Sequence, residues 1–200
     1  RELLNRINVF PVPDGDTGTN MYLTIEAAAA AAMEVSNPAS VPGPTAEALA
    51  RGALLGARGN SGVIVSQLLR GMADVISSTD EPVGATLADA LAHAADLGYA
   101  AVSRPVEGTV LTVARAAAQG AEAQKDASIR EVAVAAANSA HEALALTPPQ
   151  LPTLAAAGVV DSGGMGLVVV LDALVTVLAG EEIPAEVPTE QMVVAHEPMP

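Results

Sequence analysis

Two aspartates in a short segment rich in glycine and proline are the first residues that could do chemistry. The segment reads "NVFPVPDGDTGTN" and places Asp14 and Asp16 on either side of a glycine. Carboxylates at this spacing can turn toward one hard cation, and Mg²⁺ takes such ligands together with waters and phosphate oxygens. Thr17, Thr19 and Asn20 follow at the predicted start of a helix, where free amides favour phosphate. The segment predicts a magnesium–phosphate site, with an acidic helix-capping turn as the alternative.

A calcium-binding EF-hand is the rival metal site for these acidic residues. A loop starting at Asp14 would place Thr19 where the sharp turn requires glycine. It would also place Ile25 where the bidentate glutamate belongs, and Glu26 follows one residue too late. The spacing therefore excludes an EF-hand.

A second segment, "GARGNSG", combines glycines with polar side chains before a predicted helix. Gly59 and Gly62 allow the backbone to come near a ligand, while Asn60 and Ser61 offer polar contacts and free amides. A Walker motif is excluded because it needs a lysine after its last glycine, and the only lysine is Lys125. A Rossmann fingerprint is excluded because no strand precedes the segment. A simple glycine turn between helices stays the alternative.

Two further segments, "VEGTVLT" and "VVDSGGMG", place polar residues directly before predicted helices. Thr109 and Asp161 can each cap the helix that follows. Met165 belongs either to a flat apolar pocket or to the core. The histidines lie at unrelated spacings, so neither a metal site nor a Ser–His–Asp arrangement is predicted from them. They are His93, His141 and His196.

All four segments fall between predicted helices, and strand-like alternation is poor, so we predict an all-α protein. The breaks "SNPASVPGP" and "LTPPQLP" separate other helices. If the helices alternate in direction, the four segments can converge at one end of a bundle. We predict eight helices, counting a truncated first one: Leu3–Ile7, Thr19–Val35, from Thr45 to about Gly56, Val63–Ile76, Thr86–Val102, Thr109–Ala123, Ser128–Leu146 and about Gly164–Leu178.

Composition narrows the possible functions. The 200 residues suffice for one domain with a core, and alanine-rich helices can pack closely. A net charge of −14 argues against nucleic-acid binding through phosphate neutralisation. The absence of cysteine excludes disulfides, thiol catalysis and cysteine zinc sites. The most apolar run, 166–180, is short and contains Asp172, so no membrane-spanning helix is predicted. No signal peptide is found, and we expect a cytoplasmic protein.

Taken in order, the four segments resemble a known family. "NVFPVPDGDTGTNM", "GARGNSGVIVSQLLRG", "EGTVLTV" and "VVDSGGMGL" are similar to the nucleotide-binding domain of dihydroxyacetone kinases (the DhaL or DAK2 type). They resemble more closely the version at the N-terminus of bacterial fatty acid kinase. The resemblance runs from Asn5 to about Gly180. It implies an eight-helix antiparallel α-barrel that binds ATP and two Mg²⁺ ions at one end.

The resemblance also implies roles for individual residues. Asp14 and Asp16 match the magnesium-binding aspartates, and Asn8 falls near a further carboxylate of the dihydroxyacetone kinases, which makes it a candidate metal ligand with one charge fewer. Thr17 stands where those kinases have a histidine. The residues expected to contact the nucleotide are Thr17, Thr19, Asn20, Gly59, Asn60, Ser61, Gly62, Thr109, Asp161 and Met165.

The implied activity is ATP- and Mg²⁺-dependent phosphoryl transfer to the carboxylate of a fatty acid, held by a DegV-type binding protein, giving an acyl phosphate. A carboxylate acceptor is already ionised at neutral pH and needs no general base. The alternatives are a kinase for a small hydroxy-ketone such as dihydroxyacetone and a non-catalytic nucleotide-binding module. We expect a kinase domain over 1–180 and a linker over 181–200 toward missing C-terminal regions, which could also form a homodimer. The fragment alone should bind ATP without full turnover.

Overall fold

Ten α-helices and no β-strand make up residues 1–35 and 41–183, the part of the chain that this computed structural model describes. The predicted all-α class is confirmed. The helices are α1 (Glu2–Arg6), α2 (Thr17–Val35), α3 (Gly43–Gly56), α4 (Gly59–Ile76), α5 (Gly84–Ala100), α6 (Val110–Ala123), α7 (Ile129–Ala145), α8 (Thr147–Gln150), α9 (Pro152–Ala157) and α10 (Ser162–Leu178).

Two short helices raise the number above the eight that we predicted. The segment "LTPPQLP" was predicted as a break, but it contributes α8 and the start of α9. Both helices carry proline in the first turn. Proline is tolerated there because the amide that it lacks would have no partner within the helix.

The predicted helix caps have mixed outcomes. Thr109 caps α6, as predicted. Ser128, predicted as the start of a helix, caps α7 through a reciprocal pair of hydrogen bonds with Glu131. Thr45 and Thr86 were predicted to begin their helices, but both lie inside the first turns of helices that begin at Gly43 and Gly84. Thr86 instead accepts a hydrogen bond from the Val83 amide. The local signal was correct for a helix start but misplaced it by two or three residues.

Two boundaries next to the candidate segments also move. α2 begins at Thr17 rather than Thr19, and α4 begins at Gly59 rather than Val63. Gly59 and Gly62 of "GARGNSG" therefore belong to the first turn of α4 and not to a loop before it, whereas Gly56 ends α3. Helix starts of this kind are held by side chains from elsewhere in the fold, which local sequence does not reveal.

The long helices pack in chain order and close on themselves. Each of α2 to α6 packs against its successor, and α10 packs against α7, α6 and α2. Alanine fills much of the interior; Ala53, Ala88, Ala90, Ala136 and Ala140 have no exposed surface. Small side chains allow the helices to approach closely, and they leave an apolar internal cavity of about 200 Å³.

The ends of the described chain set limits on two predictions. α10 ends at Leu178, in agreement with the predicted helix. Residues 36–40 and 184–200 lie outside the described part, as do most of the predicted linker and part of the "SNPASVPGP" break. The domain boundary at residue 180 stays a prediction. Among the described helices, none has both the length and the hydropathy to span a bilayer.

Candidate functional site

An open cavity of about 620 Å³ lies where the four candidate segments meet. Its walls include the first turns of α2, α4, α6 and α10 and the residues that follow α5. The helices that begin here alternate with helices that end here, so the predicted convergence at one end of the bundle is correct. Ten predicted site residues line the cavity: Asn8, Asp14, Asp16, Thr17, Asn20, Gly59, Asn60, Ser61, Thr109 and Asp161.

Four helix N-termini at one cavity create a favourable place for an anion. The first amides of every α-helix have no partner within the helix, and the helix dipole adds a partial positive charge at that end. α2, α4, α6 and α10 all present this end to the cavity. A polyphosphate is the type of ligand that such an arrangement stabilises.

Asp14 and Asp16 lie on the cavity wall with exposed side chains. Gly15 between them has a φ of +69°, a left-handed conformation that glycine adopts without strain. Within the described residues, neither carboxylate takes part in an ion pair or accepts a side-chain hydrogen bond. Both are therefore available to a ligand, and their hard oxygen atoms fit Mg²⁺ with water and phosphate completing its shell.

The side chain of Asn8 stabilises the acidic loop through hydrogen bonds to its backbone. Its side chain is only 5% exposed. The Oδ1 atom accepts hydrogen bonds from the amides of Asp16 and Thr17, at 3.2 Å each, and from the Thr17 hydroxyl at 2.9 Å. Its Nδ2 donates to the Val12 carbonyl at 3.1 Å. Three donors thus occupy the Asn8 oxygen within the protein, and its predicted role as a metal ligand stays a prediction.

Asn5 is a second holding residue, and the sequence analysis missed it. Its Oδ1 accepts from the Thr19 amide at 3.0 Å, and its Nδ2 donates to the Thr19 hydroxyl at 3.0 Å. Thr19, predicted as a phosphate contact, thus faces Asn5 and is not part of the cavity wall. Asn5 and Asn8 together supply acceptors for amides at the start of α2, which is why that helix begins earlier than predicted.

The "GARGNSG" segment joins directly to α2. Thr24 accepts a hydrogen bond from the Arg58 amide at 3.2 Å and donates to the Asn20 carbonyl at 2.7 Å. Gly59 lies so close to Asn20 that a methyl group there would come within 2.3 Å of the side-chain Nδ2 of Asn20. Gly62 does not line the cavity; a methyl group there would meet the Thr24 hydroxyl at 2.4 Å. Gly62 is therefore a packing position.

The loop between α5 and α6 supplies another part of the cavity wall. The Thr109 hydroxyl donates to the Val106 carbonyl at 2.8 Å and accepts from the Leu111 amide at 3.4 Å. Ser103 and Arg104 also line this wall. The sequence analysis did not select these two residues, since an arginine in an exposed loop carries no local signal of a ligand contact.

Asp161 has a different environment from the other two cavity aspartates. It is 5% exposed, and its Oδ2 accepts from the Gly164 amide at 2.7 Å, which caps α10. Its own amide donates to the Thr147 hydroxyl at 3.0 Å. Burial raises the pKa of Asp161 to about 6, although hydrogen bonds from the Gly164 and Val110 backbone oppose this shift. The capping interpretation is confirmed.

The remaining candidates lie away from the cavity wall. Met165 is 1% exposed and belongs to the apolar core. His93 is half-buried and lies 3.5 Å from Asp74, and His141 is exposed and lies 3.0 Å from Asp172. His196 is outside the described residues. In residues 1–35 and 41–183, no group of three or more histidine or acidic side chains is placed to bind a metal, so Asp14 and Asp16 would share a cation with ligand oxygens.

The site thus joins an acidic loop and the starts of four helices around one cavity of an all-helical bundle. The sequence model of the DAK2 domain matches residues 11–176, and the chain belongs to this family.

The alignments with curated relatives cover nearly the whole chain. Protein YloV of Bacillus subtilis is 44% identical over 183 residues, which cover 90% of this chain and 33% of that protein. An uncharacterized protein of Staphylococcus aureus strain USA300 is 43% identical over 189 residues, or 93% of this chain and 34% of the relative. The chain thus spans about a third of the length of the curated relatives that it matches.

Proposed function

We propose that the chain binds ATP together with two Mg²⁺ ions, as the resembling kinases do, and that it serves phosphoryl transfer. One observation supports the proposal best. Asp14 and Asp16, which have no side-chain partner among the described residues, line the same cavity as four helix N-termini. Phosphoryl transfer depends mainly on positioning and charge neutralisation. The bound cation would supply that neutralisation.

The chain's own residues would bind and orient the nucleotide. The first turn of α4, with Gly59, Asn60 and Ser61, would receive phosphate oxygens through backbone amides. Asp14 and Asp16 would hold Mg²⁺, while Asn8 keeps their loop in position. The apolar residues Val63 and Ile64 continue the wall beside the α4 start and suit the less polar part of the ligand.

We propose the carboxylate of a fatty acid, presented by a DegV-type binding protein, as the acceptor. No histidine is found among the described residues of the cavity wall, and the third carboxylate there, Asp161, is buried as a helix cap. A hydroxyl acceptor such as dihydroxyacetone would need a base to remove its proton. A carboxylate would not, and this favours an acyl phosphate as the product.

Calorimetry tests the nucleotide proposal. We expect this chain to bind a non-hydrolysable ATP analogue when Mg²⁺ is present and to lose that binding in Asp14→Asn/Asp16→Asn. The double variant Asp80→Asn/Asp126→Asn is the matched control, because it removes the same charge at exposed positions away from the cavity. Equal binding by both variants would contradict the metal assignment.

An assay of the longer protein tests the acceptor. The full-length protein with its lipid carrier should form an acyl phosphate, trapped as a hydroxamate, and should leave dihydroxyacetone unchanged. Phosphorylation of dihydroxyacetone would support the hydroxy-ketone kinase instead. Nucleotide binding without either product would leave a non-catalytic module. The chain described above should bind nucleotide but turn over poorly alone.

A further inference from the structure

The cavity wall carries a marked imbalance of charge. Its described residues include three carboxylates, Asp14, Asp16 and Asp161, but Arg104 is the single positively charged side chain among them. A nucleotide polyphosphate adds more negative charge to the same space. Arg104 is therefore the one cationic side chain of this wall that could offset it.

Arg104 is one of five basic residues that make no ion pair among the described residues, and of these five it alone lines the cavity. The sequence has nine basic and 23 acidic residues, and Arg1, Arg70, Arg115 and Lys125 each lie within ion-pair distance of a carboxylate. Within the described residues, Arg104 is exposed and makes neither an ion pair nor a hydrogen bond. Its guanidinium remains available for a bidentate contact with a phosphate group.

The loop that carries Arg104 is anchored at its far end by a cluster around Glu107. The Glu107 carboxylate accepts hydrogen bonds from the Tyr99 hydroxyl at 3.1 and 3.2 Å and from the Thr112 hydroxyl at 2.5 Å. Arg115 approaches Glu107 at 3.4 Å, and its guanidinium carbon lies 3.6 Å from the centre of the Tyr99 ring. These contacts tie the loop to both α5 and α6.

Two further hydrogen bonds fix the backbone between this Glu107 cluster and the cavity. The Gly108 amide donates to the Thr112 hydroxyl at 2.9 Å, and the Thr109 hydroxyl donates to the Val106 carbonyl at 2.8 Å. The backbone just after Arg104 is thereby fixed, while the arginine side chain itself has no protein partner in the described residues. This is the arrangement expected of a side chain positioned for an external ligand.

We propose that Arg104 contacts the phosphates of the bound nucleotide and that the Glu107 cluster positions it for this contact. The proposal rests on the nucleotide binding proposed above. Arg104 would add a cationic side chain to the amides and the metal ion that receive the same polyphosphate.

Calorimetry of Arg104→Gln with adenosine, AMP, ADP and ATP, each with Mg²⁺, tests the contact. We expect the affinity for ATP to fall roughly 10- to 100-fold, as for the loss of a charge-assisted hydrogen bond. The loss should shrink as phosphates are removed and vanish for adenosine. Arg104→Lys should recover part of the affinity, because it keeps the charge without the planar fork. Arg51→Gln is the matched control, an exposed arginine of α3 away from the cavity.

Glu107→Gln tests the positioning role. It should weaken ATP binding less than Arg104→Gln does, and it should add no further loss when combined with Arg104→Gln. A purely structural role would instead give additive losses in the double variant.

The outcomes separate this inference from the proposed function. If the unaltered chain binds ATP and Arg104→Gln loses no more affinity than Arg51→Gln, the Arg104 contact is wrong and nucleotide binding stands. An equal loss for adenosine and ATP would also overturn it. If the unaltered chain binds no nucleotide at all, the proposed function fails and the inference fails with it.

Discussion

The acidic loop before α2 and the loop before α10 contain the same kinds of residues, but their aspartates differ in burial and in hydrogen bonding. Both place aspartate and glycine directly before a helix at the same cavity. Asp14 and Asp16 are exposed and lack side-chain partners within the described residues. Asp161 is buried, and its carboxylate caps α10 through the Gly164 amide. Burial and neighbours, not residue type, decide which carboxylates can serve a ligand.

The comparison also shows how the two loops are stabilised. Before α10, the aspartate itself accepts the helix amide. Before α2, Asn5 and Asn8 accept the amides instead. Neutral amide side chains thus stabilise the first loop, and within the described residues its two aspartates accept no side-chain hydrogen bond. We infer that this division keeps the charged residues available to a cation.

The largest expected effect separates the two kinds of aspartate. Asp14→Asn/Asp16→Asn should weaken Mg²⁺-dependent nucleotide binding by at least about 100-fold, since even outer-shell changes at metal sites cost about 10- to 100-fold. Its thermal stability should stay near that of the unaltered chain. Asp161→Asn should retain nucleotide binding within a few-fold. Calorimetry and thermal unfolding of the same samples check both statements, and a reversed pattern would break the comparison.

Asn8→Ala should destabilise the protein through the acidic loop. It removes the acceptor of two backbone amides and the donor to Val12, at a site that is nearly inaccessible to water. Unsatisfied buried groups cost about 1–3 kcal/mol each, and we expect a loss of about 2–4 kcal/mol in the free energy of unfolding. Urea denaturation measures it.

Asn8→Asp sharpens the same point, because the resembling dihydroxyacetone kinases have a carboxylate near this position. An aspartate cannot donate to the Val12 carbonyl, and it would bury a charge beside the acidic loop. We expect lower stability and no gain in Mg²⁺ affinity. Tighter Mg²⁺ binding at unchanged stability would instead support residue 8 as a metal-ligand position.

The pH dependence of stability should distinguish Asp161 from an exposed aspartate. Burial raises the pKa of Asp161 from 3.8 to about 6, so the folded state binds a proton more tightly than the unfolded state does. Between about pH 4 and pH 6 the folded state then holds more protons, and stability falls as pH rises. Relative to Asp161→Asn, the unaltered chain should lose on the order of 2–3 kcal/mol across this range and change little above it.

Denaturation of both proteins at a series of pH values checks this. Asp80→Asn serves as the control, because that side chain is exposed and makes no contact with the cavity. A constant difference between the unaltered chain and Asp161→Asn from pH 4 to pH 6 would mean that Asp161 titrates alike in the folded and unfolded states.

Much of this site could be predicted from the sequence because its signals are local. Thr109 and Asp161 stand directly before helical patterns, and each is a cap in the structure. The convergence of four segments followed from helices that alternate in direction. The acidic pair could be selected from its spacing alone.

The rest depends on contacts between distant parts of the chain. Asn5 and Asn8 bond to amides eight to 14 residues later, and a sequence pattern does not show this. Gly62 and Met165 lie in conspicuous motifs but face the protein interior. No local sequence pattern marks Arg104 as a ligand contact, and only its position in the cavity wall identifies it as a candidate.

The smallest expected effect compares one glycine from each loop. Gly15 and Gly158 have φ values of +69° and +65°, and neither has a close neighbour that a methyl group would strike. Alanine at either position should therefore cost about 1–2 kcal/mol from the left-handed backbone alone. Gly15 lies between the two proposed metal ligands, whereas Gly158 precedes a helix cap. Both variants should lose similar stability, but only Gly15→Ala should weaken Mg²⁺-dependent nucleotide binding. Equal binding by the two variants would show that the turn between Asp14 and Asp16 does not set the geometry of the metal site.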